Sequence, residues 1–149
     1  MAPRLSVVLA VGAVACASLA GCRDSEPAAA TATPSRYIAA VDALLGPPAR
    51  LASMISEATG PDPTPPPARS RLRDLMAGAR DRLADFRALR LEDSGLRRQR
   101  DRLAGAYARM IPRMQTTADA LASDDRTGLP TTVAPFLDSL RSLPSAASS

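Results

Sequence analysis

Beyond residue 34, apolar residues recur at helical spacing along most of the chain. Strand signals are absent: β-branched residues are few and no alternation is sustained. A first helix is predicted from Ser35, which can cap it after Pro34. Tyr37, Val41, Leu44, Pro48, Leu51, Ile55 and Ala58 keep one phase, interrupted at Gly46-Pro47-Pro48. Each proline removes a backbone donor and restricts the residue before it. The pattern therefore predicts a helix to Leu45, a kink, and a second helix from Pro47 to about Thr59, both facing one core. "GPDPTPPP", residues 60–67, reads as a stiff extended connector.

The next helix is predicted over Ala68–Leu91, with Leu72, Leu75, Met76, Ala79, Leu83 and Phe86 as its apolar face. Glu92–Gly95 is a turn in which Asp93 or Ser94 caps the third helix. That helix carries Leu96, Leu103, Tyr107, Met110, Met114 and Leu121, and Pro112 is expected to bend or split it. "SDDRTGLP", residues 123–130, ends it. A last helix over Thr132–Leu143 turns Val133, Phe136, Leu137 and Leu140 inward, with Pro135 in its first turn and Pro144 as its stop. Short turns make neighbouring helices antiparallel. The fold class expected is all-α: a small up-and-down bundle of three to four helices with a long central hairpin, over residues 35–143, and a disordered tail over 144–149. Met110 and Met114 read as core filling.

The N-terminus shows a different pattern. Arg4 precedes a short apolar run, Leu5 to Ala20, that ends in small residues. A spanning helix needs about 20 apolar residues, so this run reads as a secretory signal peptide. Two processing sites are present. Ala15-Cys16-Ala17 is an A-x-A site whose use would release a soluble protein. Leu19-Ala20-Gly21-Cys22 resembles the lipobox of bacterial lipoproteins. That resemblance implies a signal peptide over 1–21, diacylglycerol on the Cys22 thiol, and cleavage that leaves the acylated cysteine first. Two or three acyl chains attach a protein stably, whereas one is marginal. Arg23, where the family's inner-membrane retention signal has an acid, implies the outer membrane, with the domain facing the periplasm or the outside. Residues 22–34 read as a polar, proline-punctuated tether spanning about 20 Å as a coil.

Composition narrows the function classes. Removing residues 1–21 of 149 leaves 128, enough for one core. Cys16 would leave with the signal and Cys22 carry lipid, so no disulfide is expected. There is no histidine, the commonest neutral-pH base and metal ligand. There is no lysine either, so no serine has an evident activating base. Glycines are isolated, which argues against a phosphate loop. Asp124-Asp125 lacks the alternating oxygen ligands of a calcium loop and reads as a helix-ending turn. Without tryptophan, and with two Tyr and two Phe, stacking platforms are lacking. Neither an enzyme, a metal site, a cofactor nor a nucleic-acid partner is expected.

Arginine supplies all the positive charge. From Arg69 to Arg113 there are 13 arginines against six acids, a local +7; from Met114 to Ser149, two against four. At 100° per residue, Arg69, Arg73, Arg80 and Arg87 form one stripe and Arg98, Arg102, Arg109 and Arg113 another. They are the candidate contact surface for anionic lipid, an envelope polymer or an acidic protein. The alternative is a solvated face with i,i+3 pairs, Arg71–Asp74, Arg82–Asp85, Arg90–Asp93 and Arg98–Asp101. The sequence thus implies a lipid-anchored, non-catalytic binding or scaffolding module of the cell envelope; a passive envelope spacer and a soluble secreted protein are the alternatives.

Overall fold

The computed structural model describes residues 31–63, 65–123 and 127–148, with 144–148 as backbone alone. The signal peptide, Cys22, most of the tether, the Asp124-Asp125 pair and Ser149 lie outside the described residues. Four helices succeed one another: α1 (Pro34–Thr59), α2 (Arg69–Ala88), α3 (Ser94–Leu121) and α4 (Leu129–Ser148). Each packs on the next, and α1 also meets α3 and α4. The described residues contain no strand. The fold is the all-α bundle that the apolar spacing implies.

α1 differs from the expected kinked pair. It runs unbroken through Pro47 and Pro48, and its N-cap is Thr33, not Ser35. The Thr33 hydroxyl accepts the Arg36 N–H at 3.3 Å, and Pro34 takes the first helical position, where a missing donor costs nothing. Pro47 and Pro48 leave the carbonyls of Ala43 and Leu44 without their usual helical donors, a cost of about 3 kcal/mol for each interior proline. Packing offsets it: Pro48 is itself a core residue, between the fully buried Leu44 and Leu51.

α2 buries all six residues of its expected face and then stops at Ala88, three residues before Leu91. Beyond that point the chain drops Leu91 into the core, and other groups take the released carbonyls. Arg100 Nη1 donates to the Leu89 carbonyl at 2.6 Å, and the Ala32 N–H donates to the Arg90 carbonyl at 2.7 Å. Asp93 caps α3, its Oδ1 accepting the Leu96 N–H at 2.7 Å.

α3 is also unbroken, against the bend or split expected at Pro112. Pro112 is exposed, while Met110 and Met114 on either side are buried in one core and hold both halves in line. α4 exceeds its expected span at both ends. It begins at Leu129, which is buried, and Pro130 falls in its first turn. Pro135 consequently lies in the second turn. Pro144 does not stop the helix, because its φ is helical and only the bond to the Leu140 carbonyl is lost. The backbone is therefore helical to Ser148, where a disordered tail is expected from the sequence.

Tyr107, Phe86, Phe136, Leu44, Met76 and Leu121 anchor the core. The Tyr37 and Phe86 rings meet at 5.8 Å between centroids, joining α1 to the end of α2.

Candidate functional site

All eight arginines of the two stripes are exposed. On α2, Arg69 and Arg73 line a cleft shared with Gln115 and Asp119 of α3, and Arg80 Nη2 donates to Gln115 Oε1 at 3.1 Å. On α3, Arg113 reaches the other way, its Nη1 donating to the Ser139 hydroxyl of α4, and Arg109 lies over Gly105 of its own helix. The two stripes therefore reach different seams, Arg69, Arg73 and Arg80 that of α2 with α3, and Arg113 that of α3 with α4. Arg87, Arg98 and Arg102 lie towards the α2–α3 turn.

The four expected i,i+3 ion pairs do not form. Among the described residues the ion pairs are Arg100–Asp101 at 2.7 Å and Arg141–Asp138 at 3.2 Å. Asp93 caps α3 instead of meeting Arg90, and Asp101 meets Arg100 instead of Arg98. Exposed pairs of this kind contribute about 0.3–0.5 kcal/mol, too little to order the side chains.

Arg100 is not a residue that the stripes single out, yet it organises this end of the bundle. Its side chain is mostly covered, at 19% exposure. It bonds both the Leu89 carbonyl and Asp101. Its charge also acts on Tyr37, whose phenol is raised by burial and partly lowered again by Arg100. The signal in the sequence is its phase: residue 100 comes four after Leu96 and three before Leu103, so this arginine occupies a core-face position.

The junction extends to the lead-in of α1. Ala32 is buried, the Ala32 N–H bonds to Arg90, and the Thr31 hydroxyl donates to Glu92 Oε1 at 3.1 Å. The last residues of the predicted tether thus belong to the fold.

The remaining surfaces carry mixed charge. The α1–α2 groove sets Arg50, Arg71 and Arg82 among Asp42, Glu57 and Asp74, with Gly46 and Gly78 in its floor. Opposite charges so interleaved cancel much of each other's field beyond a Debye length of about 8 Å. Among the described residues, no three His, Cys, Asp or Glu side chains converge as metal ligands would. α1 has the length and apolar character of a membrane-crossing helix, yet Leu44, Leu51 and Ile55 are core residues of the bundle.

One polar atom stands out inside. The Tyr107 hydroxyl is fully enclosed and has no hydrogen-bond partner, and burial pushes its pKa up. It lies in the packed interior.

A scan against protein-family models and searches of curated proteins and solved structures found no match.

Proposed function

We propose that the protein is a lipid-anchored component of the bacterial cell envelope, a helical binding or scaffolding module held at a membrane through Cys22. The observation that carries this is Leu19-Ala20-Gly21-Cys22 at the end of a short apolar run, with Cys22 ten positions before Ala32, where the packing of the helical bundle begins. An acylated cysteine joined by a short link to a folded domain is how a protein is displayed at a surface without being embedded in it. The exposed arginines of α2 and α3 are the contact surface. Unpaired guanidinium groups recognise carboxylate and phosphate in a planar, two-bond geometry.

A non-catalytic role is favoured by the side-chain inventory, which has no histidine or lysine to serve as a base, and by clefts whose charges are interleaved. The test is mass spectrometry of the processed chain with membrane fractionation. Acylated Cys22 as the first residue, and loss of membrane association in Cys22→Ala, are expected. A chain beginning at Ser18 with a free Cys22 thiol would replace this reading with a soluble secreted protein. Charge reversal of Arg98, Arg102, Arg109 and Arg113 is expected to remove crosslinks to envelope partners; an unchanged crosslinking pattern would favour a passive spacer.

A further inference from the structure

We infer that the bundle stands on the bilayer with its α2–α3 turn towards the membrane, and that Ile38 and the arginines around that turn contact anionic phospholipid. This rests on the reading of Cys22 as an acylated anchor. Three independent observations carry it.

The first is reach. The link from the anchor joins the fold at the α2–α3 turn, where Thr31 bonds Glu92 and Ala32 bonds Arg90. Nine residue steps separate Cys22 from Thr31. At full extension they cover at most about 32 Å. α3 has 28 residues and is about 42 Å long. If the opposite end of the bundle faced the bilayer, the α2–α3 turn would stand about 40 Å above it, beyond the reach of the link. The inverted orientation is thereby excluded.

The second is charge. Arg36, Arg90, Arg97 and Arg98 are exposed at this end, and none takes part in either ion pair of the described residues. Asp85, Glu92, Asp93 and Asp101 lie nearby and keep their charge, yet with Arg87 and Arg100 this end still sets six arginines against four carboxylates. At the other end, Glu57, Asp62 and Asp119 balance Arg69, Arg71 and Arg73 among the described residues. An anionic surface therefore attracts the end at which the link attaches.

The third is Ile38. It is the large apolar side chain that stands open among the described residues, at 60% exposure. It lies about one turn into α1, so it sits within about 8 Å of the end that carries Ala32. An exposed apolar residue at the end of the fold that also carries exposed arginines is the composition that settles at the boundary between headgroups and acyl chains.

The chain has no tryptophan, so a single substitution gives a clean depth reporter. Full-length Ile38→Trp and Asp62→Trp would each be processed in cells, purified with the anchor intact, and reconstituted into vesicles of phosphatidylglycerol and brominated phosphatidylcholine. Circular dichroism would verify that each keeps the parent helicity. The Ile38→Trp reporter is expected to be quenched at least about two-fold more than the Asp62→Trp reporter, since only the former lies at interfacial depth. Adding Arg36→Glu and Arg97→Glu is expected to reduce that quenching while the protein still sediments with the vesicles. Equal quenching of both reporters, as for a bundle lying flat, would overturn the orientation while an acyl mass on Cys22 upheld the anchor. Absence of that mass would overturn the anchor and the orientation together.

Discussion

At the scale of single residues, Tyr107 is the most informative. Its ring fills the centre of the core, but its hydroxyl is buried without a partner. Leaving such a group unsatisfied costs about 1–3 kcal/mol, so Tyr107→Phe is expected to raise stability by about 1 kcal/mol in chemical denaturation. The same group sets an alkaline limit. Burial raises the pKa of Tyr107 above its unfolded value near 10. A phenol raised in this way binds its proton more tightly when folded. Its contribution is therefore fully present below about pH 10 and lost as pH rises through the unfolded value towards the folded one. Denaturation midpoints should be flat with respect to this residue at neutral pH and fall above about pH 10. The fall should be shallower in Tyr107→Phe, with the smaller remainder arising from Tyr37, raised by burial less the effect of Arg100.

At the scale of the helices, the faces are legible in the sequence and the ends are not. Apolar spacing marks all six buried residues of α2, because burial tracks the 3.6-residue period directly. It misses Ala104, Thr117 and Ala118 on α3, where small or polar side chains face a close neighbour; Thr117 is buried because its hydroxyl donates to the Thr132 carbonyl of α4. Proline breaks these helices less than its local chemistry predicts. Pro47, Pro48, Pro112 and Pro144 are each expected to kink or end a helix, and none does: residues on both sides of Pro47, Pro48 and Pro112 share one core, and at Pro144 a single backbone bond is lost. Pro112 makes this testable. It is exposed and fills no core space, so Pro112→Ala should restore the bond to the Ala108 carbonyl and stabilise the protein by about 1–3 kcal/mol. The α3 cap gives the opposite sign. Asp93→Ala removes the acceptor of the Leu96 N–H and should cost about 1 kcal/mol. Gly95→Ala should cost a similar amount, since an added Cβ would lie 2.9 Å from the Asp93 carboxylate oxygen and displace it. Thermal melts of the three variants check these signs.

At the scale of the whole molecule, the arginine stripes are visible in sequence, since a helical period fixes which residues share a face. Their placement on separate seams is not, because that depends on how α2, α3 and α4 pack around one another. The junction at the α2–α3 turn is equally hidden: one backbone bond and one side-chain bond join residues about 60 positions apart, Ala32 to Arg90 and Thr31 to Glu92, and Arg100 ties α3 to the same turn at Leu89. If that junction belongs to the cooperative fold, the Ala32 amide should exchange its proton as slowly as amides in the middle of α2, and not like a loose chain end. Arg100→Leu keeps an apolar stem in place but leaves the Leu89 carbonyl without its donor, which should cost about 1–3 kcal/mol. It should also speed exchange at Ala32 ahead of exchange in α4, because the turn that holds the Ala32 bond loosens first. Uniform acceleration across all four helices would show instead that Arg100 supports the bundle as a whole and has no particular hold on the point where the anchor chain joins it.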